Sequence, residues 1–173
     1  MGDFKTDLQR GQDAERTVIQ LLEKNSIVCN TPDVERKDLK YFDIVAFLLP
    51  DQHQFTLEVK RDFKEAETGN LAMEVKNTDF NEYSGLFVTM SDIWVEVLDS
   101  GIYIAQRQRL FDYINTHKPK HIVKNAGDGN AHIYLYRSKK ILSDVFYRID
   151  DMPQNKIYRL LRRLLNAQIT SLD

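Results

Sequence analysis

At 173 residues, with 42 % apolar and 29 % charged side chains, the sequence supports one globular domain with a real core. No stretch approaches the roughly 18 apolar residues of a membrane span, and no signal peptide opens the sequence, so the expectation is a cytoplasmic protein. Cys29 is the only cysteine, which excludes an internal disulfide and a cysteine-based zinc cluster. The net charge of −2 hides an asymmetry. Residues 1–100 hold 11 lysines and arginines against 20 acids, a balance of −9, whereas residues 101–173 hold 13 against 6, a balance of +7. An acidic half joined to a basic half points to a nucleic acid or another polyanion as partner. Charge pairing between the halves of one monomer is the plainer alternative.

Taken in chain order, Thr6-Asp7-Leu8-Gln9 reads as a capping box. A helix runs to about Lys24, with Leu8, Ala14, Val18, Leu21 and Leu22 on its apolar side. Glu15 lies among these residues and Gln12 slightly earlier. Residues 27–30 read as a strand in which Cys29 packs as a small hydrophobe. Residues 31–40 form a polar, charged run that reads as a loop and contains Pro32-Asp33. Asp43 then opens an apolar strand, Ile44-Val45-Ala46-Phe47. A turn follows around Pro50-Asp51, and a second strand ends in Glu58-Val59-Lys60.

If these strands form a hairpin, residues whose numbers sum to about 101 face each other, and Asp43 with Glu58 meets that condition. Two carboxylates on facing strands suit magnesium, a hard cation that takes oxygen ligands and keeps several waters. Lys60 shares the face of Glu58, because side chains repeat every second residue along a strand. From there it reaches a phosphate or an attacking water.

Further on, Thr68-Gly69-Asn70 signals a turn, and Glu74-Val75-Lys76 repeats the Glu-x-Lys pattern on what reads as the next strand of the same sheet. Glu74 is there either an outer residue of the site or a surface acid. Residues 86–90 read as a short strand, 94–104 as a hairpin through Asp99-Ser100-Gly101, and 106–117 as a helix. Residues 125–130, with Gly127 and Gly129, read as a mobile loop, and 131–136 as another strand. Residues 157–169 read as a last helix with Leu160, Leu161, Leu164 and Leu165 on one face. The histidines are scattered, and Pro119 separates His117 from His121. Gly101-Ile102-Tyr103 lacks the second half of a GIY-YIG motif. Gly127-x-Gly129 lacks the Lys-Ser/Thr of a phosphate cradle.

Asp43, Glu58, Lys60 and the preceding helix with Glu15 resemble the PD-(D/E)xK nuclease superfamily over roughly the first hundred residues. The look is that of small phage-encoded or Holliday-junction-resolvase-like endonucleases. The Thr68-Gly69-Asn70-x-x-x-Glu74 stretch, Tyr83-Ser84-Gly85-Leu86, Thr89 and Asp92-Ile93-Trp94 look like the same group. The resemblance implies an α/β fold with a restriction-endonuclease-like core: a central mixed β-sheet flanked by helices, here with a C-terminal helical extension. Residues 1–105 would form the catalytic core, and 106–173 a basic part completing the single domain. Asp43, Glu58 and the Val59 carbonyl would hold Mg²⁺, or Mn²⁺ in its place. Glu15 would join them through water or a second ion, with Gln12 and Glu74 further out, and Lys60 would assist the attacking water.

The expected activity is Mg²⁺-dependent hydrolysis of DNA phosphodiesters, structure-specific or restriction-like. The expected assembly is a homodimer, with the apolar face of the last helix as interface, acting in the cytoplasm. Lys118, Lys120, Lys124, Arg137, Lys139 and Lys140 would contact backbone phosphates, which position DNA without reading its sequence. The alternative is a nuclease-fold DNA-binding or assembly protein without catalysis.

Overall fold

The structure, a computed structural model, describes residues 4–31, 41–49, 53–77, 82–126 and 131–169. Asp33, Pro50-Asp51 and Gly127-x-Gly129 lie outside them. The first helix, α1 (Phe4–Lys24), buries Ala14, Val18 and Leu22, four residues apart on one side. It is already helical at Phe4, so Thr6 to Gln9 lie inside the helix and do not cap it.

The central sheet comprises β1 (Ile27–Asn30), β2 (Ile44–Leu48), β3 (His53–Arg61), β6 (Ile93–Leu98), β7 (Gly101–Gln106) and β10 (Tyr147–Arg148), side by side in that order. Every neighbouring pair is antiparallel except β3 and β6. The sheet is therefore mixed, and helices flank it as expected. The β2–β3 hairpin pairs Ile44 with Leu57 and Val45 with Thr56, the register read from the sequence.

A parallel neighbour needs a crossover. Residues 62–92 supply it, and they build a second sheet rather than extending the first. That sheet holds β5 (Glu82–Tyr83), β4 (Asn70–Asn77), β9 (Ala131–Arg137) and β8 (His121–Ala126), in that order. Glu74 thus sits in a different sheet from Glu58, contrary to the expectation that β4 follows β3 directly. Asp62 turns the chain away: its Oδ1 accepts the Lys64 and Glu65 amides at the start of α2 (Glu65–Thr68), and its Oδ2 accepts the Ala72 amide on β4.

Alternation along β3 and β6 divides the interior into two cores. Phe55, Leu57, Val59, Ile93, Val95 and Val97 pack with α1 and with α5 (Gln154–Ile169). On the opposite face, Trp94 and Leu98 pack with Leu71 and Met73 of β4, with α3 (Arg107–Thr116) and with α4 (Ser138–Val145). All six residues of β6 are buried because both its faces are covered.

Two further expectations are corrected. The apolar face of the C-terminal helix α5 (Ile157, Leu160, Leu161, Leu164, Leu165) is buried in the first core, so that face is closed to a dimer partner. Residues 86–90 are not a strand. A 3₁₀ turn spans Gly85–Phe87, and Gly85 adopts φ +53° where an added Cβ would lie 2.6 Å from the Glu74 carbonyl oxygen. Residues 106–173 also supply strands to both sheets: β8 and β9 extend the sheet of β4, and β10 pairs with β7.

Candidate active site

Asp43 stands one residue before β2 and prolongs its ladder, its amide donating to the Leu57 carbonyl at 2.8 Å. Its Oδ2 accepts the Val59 amide at 2.7 Å. The acid is thereby fixed against the Glu58–Lys60 segment. Glu58 is only 8 % exposed. Its Oε1 lies 2.5 Å from the Lys60 ammonium, and its Oε2 lies 3.2 Å from Thr89 Oγ1. The same hydroxyl lies 2.7 Å from the Tyr41 carbonyl, so its single proton is shared between two acceptors.

The charges of these groups bear on one another. Burial raises the pKa of Glu58; Lys60 opposes the rise and Asp43 adds to it. Burial also raises that of Glu15, with Asp43 and Glu58 adding to the rise and Lys60 opposing it. For Lys60, burial works against the ammonium, but Glu58 outweighs it, with Asp43 and Glu96 contributing, and the net shift is upward. Asp43 before β2 is thus tied to the strand that carries Glu58 and Lys60, and Glu15 on α1 lies within reach of their charges. The Lys60 side chain remains 44 % exposed, so this cluster is open to solvent. Gln12 is exposed on α1, one turn before Glu15 and Arg16. Glu74 is exposed on β4 opposite Ile133, and among the described residues no hydrogen bond or ion pair joins it to Asp43, Glu58 or Lys60.

The basic residues are spread over one hairpin and its flanks. Lys118 follows α3, Lys124 lies on β8, and Arg137 ends β9; all three are exposed. Lys120 donates to Asn70 Oδ1 at 3.2 Å. Lys139 and Lys140 open α4, and Lys140 pairs with Asp144 at 2.9 Å. Glycines 127 and 129 lie outside the described residues.

Two features have no counterpart in the roles read from the sequence, although Thr89 itself was named there. One is the hydroxyl of Thr89 bridging the Tyr41 carbonyl and Glu58. The other is Glu96, 1 % exposed on β6 beside Lys60 in the parallel register. Burial pushes its carboxyl up to about 8. Its Oε1 accepts the indole N–H of Trp94 at 2.7 Å, and its Oε2 has no hydrogen-bond partner. The signal was one acid, Glu96, amid the apolar run Ile93 to Leu98.

A cleft of about 520 Å³ is lined by Arg10, Asp13, Phe63, Arg61 and Asp99 among others, and by none of Glu15, Asp43, Glu58 and Lys60. Arg61 is held there by the Val97 carbonyl and by Asp99, and its guanidinium stacks on Phe63. The chemistry-bearing residues are at the open cluster, so the site is placed there and not in the cleft.

Among the described residues no group of three or more His, Cys, Asp or Glu is drawn tightly enough to enclose a metal ion in this arrangement. No described helix is long and apolar enough to cross a membrane. No protein-family model and no curated protein matches the sequence. Among solved structures, the chain is similar to that of a bacterial homing endonuclease, I-Ssp6803I, at 14 % identity and a TM-score of 0.45 over 99 % of each chain.

Proposed function

We propose that the protein is a metal-dependent deoxyribonuclease of the PD-(D/E)xK type, with Asp43, Glu58 and Lys60 as its central residues. The observation that carries the reading is the convergence of Asp43 with the Glu58–Lys60 pair in the predicted register, with Glu15 arriving from α1. The donor set is all carboxylate, which suits Mg²⁺ or Mn²⁺ rather than a soft metal. Burial raises the pKa of two of its members, Glu15 and Glu58, and the charge of Asp43 adds to both shifts, so a divalent cation would relieve a repulsion already present.

In this reading Asp43 would hold the ion through Oδ1, since Oδ2 accepts the Val59 amide, and Glu58 would hold it in place of Lys60. The Val59 carbonyl would complete the protein ligands, with Glu15 acting through water. A bound ion would supply an acidified water and charge stabilisation on the phosphoryl oxygens. Asp43 and Glu58 set the position of the scissile phosphate relative to Lys60. Lys60, once free of Glu58, orients the attacking water or stabilises the pentavalent transition state. Thr89 holds the second oxygen of Glu58 so that the carboxylate turns without leaving the site.

DNA is the substrate this reading assigns, through the exposed Lys118, Lys124, Arg137 and Lys139, with Lys120 and Lys140 joining them once released from Asn70 and Asp144. Cutting both strands requires two such centres, which a homodimer provides through a surface other than α5. The direct test is incubation with Mg²⁺ or Mn²⁺ and a panel of linear, single-stranded, flap and four-way DNA. Cleavage of any of them supports the assignment. DNA binding without cleavage, in either metal, moves the weight to a non-catalytic nuclease-fold protein.

A further inference from the structure

We propose that Glu96 is a positioning residue for Lys60: as Glu58 turns to a divalent cation, the Lys60 ammonium passes to the unpartnered Oε2 of Glu96. The inference rests on the nuclease reading above and adds a residue to it.

The parallel pairing of β3 with β6 sets Lys60 beside Glu96 and Glu58 beside Trp94. Strand alternation points all four side chains to the same face of the sheet. Lys60 therefore lies between two carboxyl groups. One is Glu58, its present partner at 2.5 Å. The other is Glu96, whose Oε1 is occupied by Trp94 and whose Oε2 is buried without a partner. Buried polar atoms are nearly always satisfied, and a half-satisfied acid behind a lysine calls for a partner. The Lys60 ammonium also lies 5.8 Å from the ring centroid of Trp94, the residue bonded to Glu96.

A cation bound to Glu58 cannot share its oxygen with an ammonium, because like charges at such separation repel strongly. Lys60 must then move. Solvent is open to it, since the side chain is 44 % exposed, and in solvent it would be lost to the reaction. An anchor at Glu96 keeps it within the site. A lysine suits this exchange, with three rotatable donors on a flexible stem.

Trp94 is the single tryptophan, and it touches both partners of the exchange, so its fluorescence reports the event without any cleavage. The experiment titrates wild type, Glu96→Gln and Lys60→Met with Ca²⁺ alone, following Trp94 emission and, by calorimetry, Ca²⁺ affinity. Wild type should bind Ca²⁺ with an emission shift that saturates together with the heat. Glu96→Gln keeps an acceptor for Trp94 but turns amide protons towards Lys60. It should bind Ca²⁺ about tenfold more weakly, as expected if anchoring is worth about 1.4 kcal/mol, and lose the shift. Lys60→Met should bind at least as tightly as wild type, with no shift.

Wild-type affinity and a wild-type shift in Glu96→Gln would overturn the inference and leave the nuclease reading standing. A shift that persists in Lys60→Met would overturn it too, whether or not the Glu96→Gln protein folds. Wild-type protein that binds no Ca²⁺ at millimolar concentration would overturn both readings.

Discussion

The ammonium of Lys60 and the carboxylate of Glu58, two residues apart on β3, form an ion pair at 2.5 Å. The period of the strand puts them on one face, and burial of Glu58 makes the pair more than a surface contact. In the pair one cation answers several acids, since Asp43 and Glu96 also act on Lys60.

Separating the pair should give unequal variants. Lys60→Met leaves Glu58 buried with Asp43 and no cation, so its carboxyl should hold a proton still more tightly than in wild type. Glu58→Gln removes the acid and leaves Lys60 nearer its ordinary behaviour. Both should lose at least about a hundredfold in cleavage rate, the scale seen when one transition-state contact or proton carrier is removed. Single-turnover rates on one DNA substrate check this, and full activity in either variant would remove it from the mechanism.

Asp43 holds Val59 as well as facing the site, and two substitutions separate the roles. Asp43→Asn keeps an oxygen for the Val59 amide and should unfold near the wild-type temperature, yet bind Mg²⁺ poorly. Asp43→Ala leaves that amide without its acceptor and should in addition lose about 1–3 kcal/mol of stability. Thermal unfolding beside calorimetric Mg²⁺ titration distinguishes the two.

Glu96 gives a pH dependence of known sign. Its carboxyl sits at about 8 in the folded protein against an ordinary value of 4.5, so the folded state binds the proton more tightly. Stability should therefore be greatest below about pH 4.5 as far as this group is concerned, and fall as pH rises towards 8, by at most roughly 1.4 kcal/mol per pH unit. Glu58 and Glu15 act in the same direction. Denaturant unfolding of metal-free protein between pH 5 and 8 measures the slope, and Glu96→Gln should flatten it.

DNA binding should weaken steeply with salt, since each neutralised phosphate releases counterions. Replacing exposed Lys118 and Lys124 with Ala should reduce the slope by about one unit for each phosphate no longer neutralised. Lys140→Ala should change it less, because Lys140 already pairs with Asp144. Salt titrations of a labelled duplex and a four-way junction, with Lys60→Ala protein in Ca²⁺, give the slopes.

The hairpin register was legible because two apolar strands around a turn leave few alignments, and the expected one, Ile44 with Leu57, is observed, with Asp43 bonded to the Leu57 carbonyl and the Val59 amide on either side of Glu58. The α1 stripe was legible for the same reason of period at Ala14, Val18 and Leu22, whereas Leu8, expected on the same side, is exposed. The second sheet was not, because β4 alternates as a central-sheet strand would; what diverts it is the side chain of Asp62, a local hydrogen-bonding choice with no periodic signature. Strand β8, exposed at five of its six positions, offers no burial pattern to read. Glu96 was visible as an acid in an apolar run, but its meaning depends on the parallel β3–β6 pairing, which only the crossover establishes.

The central claim is tested most directly by nicking of supercoiled plasmid DNA in Mg²⁺, comparing wild type with Glu58→Ala and Lys60→Ala purified in the same way. Nicked or linear DNA from the wild type alone, abolished by chelation, is the predicted result. Equal nicking by all three proteins, or none by the wild type in Mg²⁺ and Mn²⁺ on plasmid, single-stranded and branched DNA alike, would contradict it.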